Sequence, residues 1–462
     1  MTSLLRRGYR FGRIHPEAIA ALACRRARDD EHGAFLDVPT TSPEDARASE
    51  RRWKEGRLRS RLEGVPFAAK DNLLTTDLGT TAGSRMLEDW RAPHDATVVR
   101  RLRAAGAVLV GKTNLDEFGM GATGELSAFH TTRNPRFPAW APGGSSSGSA
   151  AAVASGIVPF ALGSDTGGSV RLPAAFCRVV GFKPSYGRVS RRGLIAFASS
   201  MDCIGILAST VVEAADAFSI ISGADPRDQT SVVPGLSATK GALRIGLLER
   251  EESTFWTRAE PGLRWASSRG HQLCWAEAPP TDASLAAYHV ISCAEAASNL
   301  ARYDGIRFGQ RVEAETFQRT VVESRRAGLG PEVQRRIALG SFILSAENQT
   351  LKRAVSIRRD VVRRFEELFE RFDLLFSPTA PEPIGLGQTL AERYALDRHL
   401  VGPSLAGLCA LTLPLPPPDR PPVSLQVIGP AGHEALLFEI AGRLETSLSL
   451  HELSLPILSL ID

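Results

Sequence analysis

The sequence is short of the features that most readily declare a function. Its 462 residues contain no C-x-x-C pair, and the six cysteines, Cys24, Cys177, Cys203, Cys274, Cys293 and Cys409, are scattered with no paired histidines near them. That pattern argues against structural zinc and against a disulfide framework, and leaves buried free thiols as the reading. No apolar run reaches the roughly 18 residues that a membrane span needs. The longest uncharged stretch, residues 137–164, is broken by Gly, Pro and Ser. No phosphate loop of the G-x-x-x-x-G-K-S/T type occurs. The start "MTSLLRRGYRFGR" lacks the apolar core, about 7 to 15 residues, of a secretory signal, so a cytoplasmic location away from membranes is expected. The formal charge is only +4, far from the footprint of a dedicated nucleic-acid binder. The densest basic run, "RASERRWKEGRLRSR", is interleaved with Glu and reads as a solvated helix face.

What is present is an ordinary globular composition, 43% apolar and 23% charged. The length exceeds the roughly 250 to 300 residues at which single cores stop growing, so two domains or one large α/β body is expected. Residues 12–60 read as polar, amphipathic helices. "GVPFAAKDNLL" is a strand-like piece ending at Lys70 and Asp71. "ATVVRRLRAAGAVLVGKTN" gives a helix stopped by Gly106 and a buried strand from Ala107 to Val110. "SAAAVASG" is a small-residue helix terminated by Gly156, and "IVPFAL" is a further buried strand that empties into "TGGS". Glycines therefore sit at a strand's carboxyl end, where open α/β sheets bind ligands. Composition shifts near residues 230–240, and the stretch to about 395 is richer in charge and helical pattern. Within it Val362, Phe365, Phe369 and Phe372 recur at helical spacing as a packing stripe. Residues 414–422 are proline-heavy and read as a loop, with "VSLQVIG" after them as a strand.

Three glycine-rich patterns compete for the chemistry. "GMGATG", residues 119–124, fits G-x-G-x-x-G but follows polar "KTNLDEF" instead of a strand. "GSSSG", residues 144–148, fits G-x-S-x-G and would make Ser146 an elbow nucleophile, but Pro142 stands where the feeding strand should be. The better reading joins Lys70 in "AAKDN", Ser145 in "PGGSSSGSA" and Ser169 in "DTGGSVRLPA". Residues 166–169 offer consecutive backbone N–H groups unobstructed by side chains, the geometry an oxyanion hole requires, and Ser169 can attack from the same turn. None of the nine histidines lies in these segments. Lys70 can serve as base if burial lowers its pKa from about 10.4 to near 7, a cost of roughly 4 to 5 kcal/mol. Ser145 then relays the proton, accepting from one group while donating to the other. Taken singly, each has a plainer role: Lys70 as ion-pair partner of Asp71, Ser145 as N-cap of the helix beginning near Ser147, and Ser169 as turn former.

Taken together, these segments resemble the amidase signature family, whose members carry Lys, a cis-peptide Ser and a nucleophilic Ser in this order. The spacings, 75 residues from Lys70 to Ser145 and 24 from Ser145 to Ser169, suit it. The resemblance implies an α/β fold with a large central mixed, twisted sheet covered by helices on both faces. An N-terminal helical segment, 1–60, would precede one large domain, 61–462, with its catalytic core at 61–230 and a substrate-shaping helical region at about 231–395. It implies Ser169 as nucleophile, Ser145 as bridging serine, Lys70 as base, and Thr166, Gly167 and Gly168 with Ser169 as oxyanion hole. "FALGSDTGGSVRLPAAFCRVVGFKPSYGRVSRRGLIAFASSMD", "EAASNLARYDGIRFGQR" and "LGPEVQRRIALGSFILS" narrow the likeness to the A subunits of tRNA-dependent Asp/Glu amidotransferases. Such subunits hydrolyse glutamine and pass ammonia to a B subunit, with a C subunit clamping the two. This chain would then carry no cofactor, ATP and Mg being expected only in a partner. Asp397 in "RYALDRHL" and Arg335 in "VQRRI" would hold the α-amino and α-carboxylate groups of glutamine, since a zwitterion needs both signs opposite it. The sequence also departs from the A-subunit pattern: GGSSSGSA stands for GGSSGGSA, "AENQTLKRAV" replaces a tyrosine-rich segment, Leu172 replaces Gln, and the turn before "VSLQVIG" is proline-laden. These departures suit a second reading, a stand-alone amidase acting on another small carboxamide.

Overall fold

The computed structural model describes residues 1–41, 43–232, 241–345, 349–416 and 423–448. Eleven strands among them form a single mixed sheet: β1 (Phe35–Asp37), β2 (Pro66–Lys70), β3 (Val108–Thr113), β4 (Phe160–Asp165), β5 (Val180–Lys183), β6 (Cys203–Ala208), β7 (Arg244–Leu247), β8 (Gln272–Trp275), β9 (Leu374–Pro378), β10 (Cys409–Pro414) and β11 (Ser424–Gly429). Their spatial order is β1-β3-β2-β4-β6-β5-β10-β11-β9-β7-β8. Strands β3, β2 and β4 run parallel, as do β8, β7 and β9, and the strands between these groups are antiparallel. β1, drawn from the first 60 residues, pairs antiparallel with β3 and stitches the N-terminal helices to the sheet's edge.

Helices cover both faces, so the central strands are buried on both sides and are mainly apolar instead of alternating with exposed polar residues. On one face Phe67, Leu109, Phe160 and Phe182 pack with the helices Thr97–Ala104, Val211–Ile221 and Glu434–Ser447. Phe67 and Phe160 stack across β2 and β4 with centroids 5.7 Å apart, a pair contributing roughly 0.5–1.5 kcal/mol beyond its burial. On the other face Ala68, Val110 and Ala161 meet the helices Pro16–Arg28 and Ser147–Ala154. Every residue of Ser147–Ala154 is buried. Small side chains all round let that helix lie close on the sheet.

Several element boundaries differ from those the sequence predicts. β3 runs on to Thr113 instead of ending at Val110. β4 begins only after Pro159, which has no N–H for the ladder. It then continues through the polar Gly163, Ser164 and Asp165, held by pairing with Gly205, Ile204 and Cys203. In the helix Gln349–Arg371 the buried positions are Ala354, Val361, Phe365 and Leu368, and Phe372 is buried just beyond it, so Phe365 and Phe372 pack as expected while Val362 and Phe369 are only partly buried. Five cysteines are buried free thiols, whereas Cys274, on the edge strand β8, is exposed. Residues 417–422 and 233–240, which hold most of the proline-rich stretch and of the compositional break, lie outside the described residues.

Candidate active site

Lys70 closes β2 on the face shared with Ala68, and it is wholly buried. It does not pair with Asp71, which instead binds Lys112 at 2.8 Å. Its Nζ lies 2.8 Å from Ser145 Oγ, 2.9 Å from Ser146 Oγ and 2.9 Å from Ser164 Oγ. Three neutral hydroxyls cannot compensate a buried ammonium as carboxylate contacts would. Burial therefore pushes the Lys70 pKa down from 10.5 to about 7, while the more distant Asp116, Asp165 and Asp202 pull it back up. The Ser146 hydroxyl donates to Ser164 O at 3.2 Å and so accepts from the amine. Gly163 makes this possible, because a Cβ there would stand 2.9 Å from Ser146 Oγ.

The peptide bond between Gly144 and Ser145 is cis. Ser146 is the N-cap residue of Ser147–Ala154, and neither it nor Ser145 caps that helix with its side chain. Ser146 is fully buried beneath the amine, which removes it as an exposed elbow nucleophile. Ser147, where the A-subunit pattern has glycine, is an ordinary helical residue whose hydroxyl donates to Thr132 Oγ1 at 3.1 Å. The G-x-G-x-x-G segment wraps an acid: Gly124 N–H and Leu126 N–H donate to Asp116 at 3.2 and 2.9 Å.

The "TGGS" turn leaves β4 and enters the helix Arg171–Phe176. It is braced by a buried ion pair, Arg171 to Asp165 at 2.9 Å, in which Arg171 also donates to Gln426 Oε1 and Ser404 Oγ. Asp165 further accepts from Val170 N–H at 3.1 Å, and Thr166 Oγ1 donates to Asp202 at 2.7 Å. With both ends tied down, the backbone N–H groups of residues 166–169 find no acceptor among the described residues. Ser169 O accepts from Ser146 N–H at 3.1 Å, which binds this turn to the serine loop. Ser169 Oγ itself makes no hydrogen bond among the described residues, so the Lys70–Ser145 link is formed and a Ser145–Ser169 link is open.

Above the turn stand residues from two later elements. A Cβ on Gly167 would lie 2.5 Å from Tyr288 Cζ, and one on Gly168 would lie 3.1 Å from Asp397 Oδ1. Asp397 lines a cavity of about 270 Å³ together with Glu332, Arg335, Arg336, Arg393 and Tyr394. Burial raises the Asp397 carboxyl to about 7, partly offset by Arg336. Of the two arginines in "VQRRI", Arg335 is the more exposed, at 38%, and Arg336 is buried, at 5%. Val333, Arg336, Gly340 and Ile343 form the buried stripe of the helix Pro331–Ser345, a helical spacing readable in the sequence that selects Arg336. Tyr288 and Ser164 carry no such signal, since nothing local marks a residue that another segment will cover, and the G-x-S-x-G pattern marks Ser146 only for a different role. Leu172 packs with Leu396 and Leu400, the neighbours of Asp397, so its side chain supports that segment from below. No group of three or more His, Cys, Asp or Glu among the described residues is disposed to hold a metal. No described helix is long and apolar enough to cross a membrane.

The Amidase family matches residues 18–438. The A subunit of glutamyl-tRNA(Gln) amidotransferase from Chloroflexus aurantiacus is 44% identical over 91% of this chain and 90% of that protein. The crystal structure of the A subunit of glutamyl-tRNA(Gln) amidotransferase from Thermotoga maritima superposes with a TM-score of 0.76 at 36% identity, covering 93% of this chain and 91% of that one. The native peptide amidase of Stenotrophomonas maltophilia superposes with a TM-score of 0.81 at 28% identity, covering 96% of both chains. A match of this extent, over a site with these residues, places the chain in the amidase family of amide C–N hydrolases.

Proposed function

We propose that the chain hydrolyses the side-chain amide of glutamine and supplies ammonia as the A subunit of a tRNA-dependent Asp/Glu amidotransferase, alongside B and C subunits. The observation that carries the chemistry is a lysine amine, fully buried and brought to about 7, in hydrogen-bonding contact with Ser145. In this mechanism Ser169 Oγ attacks the amide carbon, its proton passes to Ser145 Oγ, and the Ser145 proton passes to neutral Lys70 Nζ. The free N–H groups of residues 166–169 receive the oxyanion. As the C–N bond breaks, Lys70 returns a proton through Ser145 to the departing ammonia, leaving an ester on Ser169. Water attacks that ester by the same relay and releases glutamate. Closing the relay requires the Ser169 side chain to turn onto Ser145, a tightening that catalytic hydrogen bonds undergo on forming the substrate complex. Asp397 and the arginines opposite it receive the two charged ends of glutamine, with Arg336 better buried for this than Arg335.

The test is ammonia release from glutamine by the full chain, alone and with its co-expressed partner subunits, against a Ser169→Ala variant. Weak activity alone that rises on assembly and vanishes in the variant supports the reading. The second reading, a stand-alone amidase for another small carboxamide, is favoured by the higher TM-score to the peptide amidase than to the Thermotoga protein. Brisk turnover of simple amides by the unpartnered chain, with glutamine ignored, would establish it instead.

A further inference from the structure

We propose that Glu332 is a positioning residue that sets specificity for the charged end of the substrate, an inference that rests on the glutamine reading for its substrate. Glu332 opens the helix Pro331–Ser345, and Arg335 and Arg336 follow it at the i+3 and i+4 spacings that share a helix face. Arg335 forks onto its carboxylate through Nε and Nη2, each at 2.8 Å. Arg336 donates through Nε alone, at 2.7 Å. The two terminal nitrogens of Arg336 then have no hydrogen-bond partner among the described residues, although the side chain lines the cavity. A guanidinium held by Nε with its far edge free is oriented to take a carboxylate.

The same carboxylate also fixes the opposite arm. Tyr394 donates its hydroxyl to Glu332 Oε1 at 2.8 Å. That tyrosine lies in the helix Leu390–Ala395, and its carbonyl accepts from Asp397 N–H at 3.4 Å. Its ring stacks on His289 at 4.2 Å, while Arg335 and Arg336 lie over it at 5.5 and 5.4 Å. One acid, on an element remote in sequence from Asp397, thus holds both the cation meant for an α-carboxylate and the segment that presents the anion meant for an α-ammonium. Glu332 already accepts four hydrogen bonds from three side chains, so it orients the clamp without binding substrate itself.

The test compares glutamine with butanamide, the same carboxamide without the two α charges, on wild type, Glu332→Gln and Tyr394→Phe, each as the full chain. Loss of a charge-assisted hydrogen bond in a buried setting predicts a KM for glutamine raised roughly 10- to 100-fold in Glu332→Gln, with kcat within about threefold. Tyr394→Phe, which keeps the ring, shifts KM the same way by about 3- to 10-fold. Butanamide kinetics stay unchanged in both variants. Hydrogen exchange of residues 385–397, which needs no substrate, quickens in both variants with the rest of the chain unaffected. An unchanged glutamine KM, or equal loss on the two amides with unchanged exchange, overturns the proposal. If wild type shows no preference for glutamine over butanamide, the glutamine reading fails by itself. Quickened exchange then still supports Glu332 as the holder of this segment, and unchanged exchange overturns it.

Discussion

Replacing Lys70 by methionine separates a catalytic base from a merely buried cation, because the two make opposite claims about stability against pH. The amine titrates near 10.5 when unfolded and at about 7 in the fold. Between those values the unfolded chain holds a proton that the native protein does not, so native stability rises with pH. The contribution of Lys70 is greatest above about 10.5, is lost as pH falls through the window, and levels out below about 7. Each pH unit is worth about 1.36 kcal/mol, so the full shift amounts to about 5 kcal/mol. Lys70→Met removes this dependence while leaving every other titrating group in place. Urea unfolding at pH 7.5 and 9.5 should show the variant's stability relative to wild type falling by about 3 kcal/mol between the two. The same variant, and Lys70→Arg, whose guanidinium stays protonated, should lose acyl transfer. A stability difference that is the same at both pH values would mean that the amine is charged in the fold, and the proton relay would fall with it.

A serine-directed acylating probe should label the wild-type chain at Ser169 and leave Ser169→Ala unlabelled by mass spectrometry; labelling at Ser145 or Ser146 instead would move the nucleophile. KM for glutamine should fall as pH rises through about 7, because the Asp397 carboxyl ionises there and gains attraction for the α-ammonium; Asp397→Asn should flatten that limb, and a limb that survives would belong to another group. Arg171→Met should destabilise the fold by about 3–5 kcal/mol, since it strands Asp165 as a buried unpaired charge, and Asp165→Asn added to it should recover part of the loss in a thermal melt. Gly167→Ala forces a methyl to within 2.5 Å of Tyr288 Cζ, so the turn or the ring must shift: kcat should drop at least tenfold and the melting temperature should fall; a normal kcat would show that the turn tolerates displacement.

The proposed set Lys70, Ser145 and Ser169 was readable as three short motifs whose glycines or small residues are hard to explain by helix or strand propensity, and the structure brings Lys70 and Ser145 into hydrogen-bonding contact. The α/β class was legible too, from apolar runs of strand length between helical periods. Charge state was partly legible: the run "GVPFAAK" announces a lysine at the end of a buried strand, and the structure buries it completely. The proposed clamp was less so. Asp397 lies in a short polar stretch, and Arg336 emerges only when the helix phase of "VQRRI" is followed through Gly340 and Ile343.

Sequence order by itself determined which residue types exist to do the chemistry and on which local elements they ride, since motif, cap and periodicity are properties of neighbouring residues. Only the tertiary structure decided what each polar group meets. Asp71 turned out to bind Lys112, leaving Lys70 to three hydroxyls, because β2 and β3 lie side by side with Thr113 opposite Lys70. Tyr288 and Asp397 came to stand against that glycine turn, and Glu332 in the cavity beside Asp397, from elements more than 100 residues further along the chain. Such partners are set by how sheet and helices pack in three dimensions, and burial, which sets their ionisation, is a property of that packing alone.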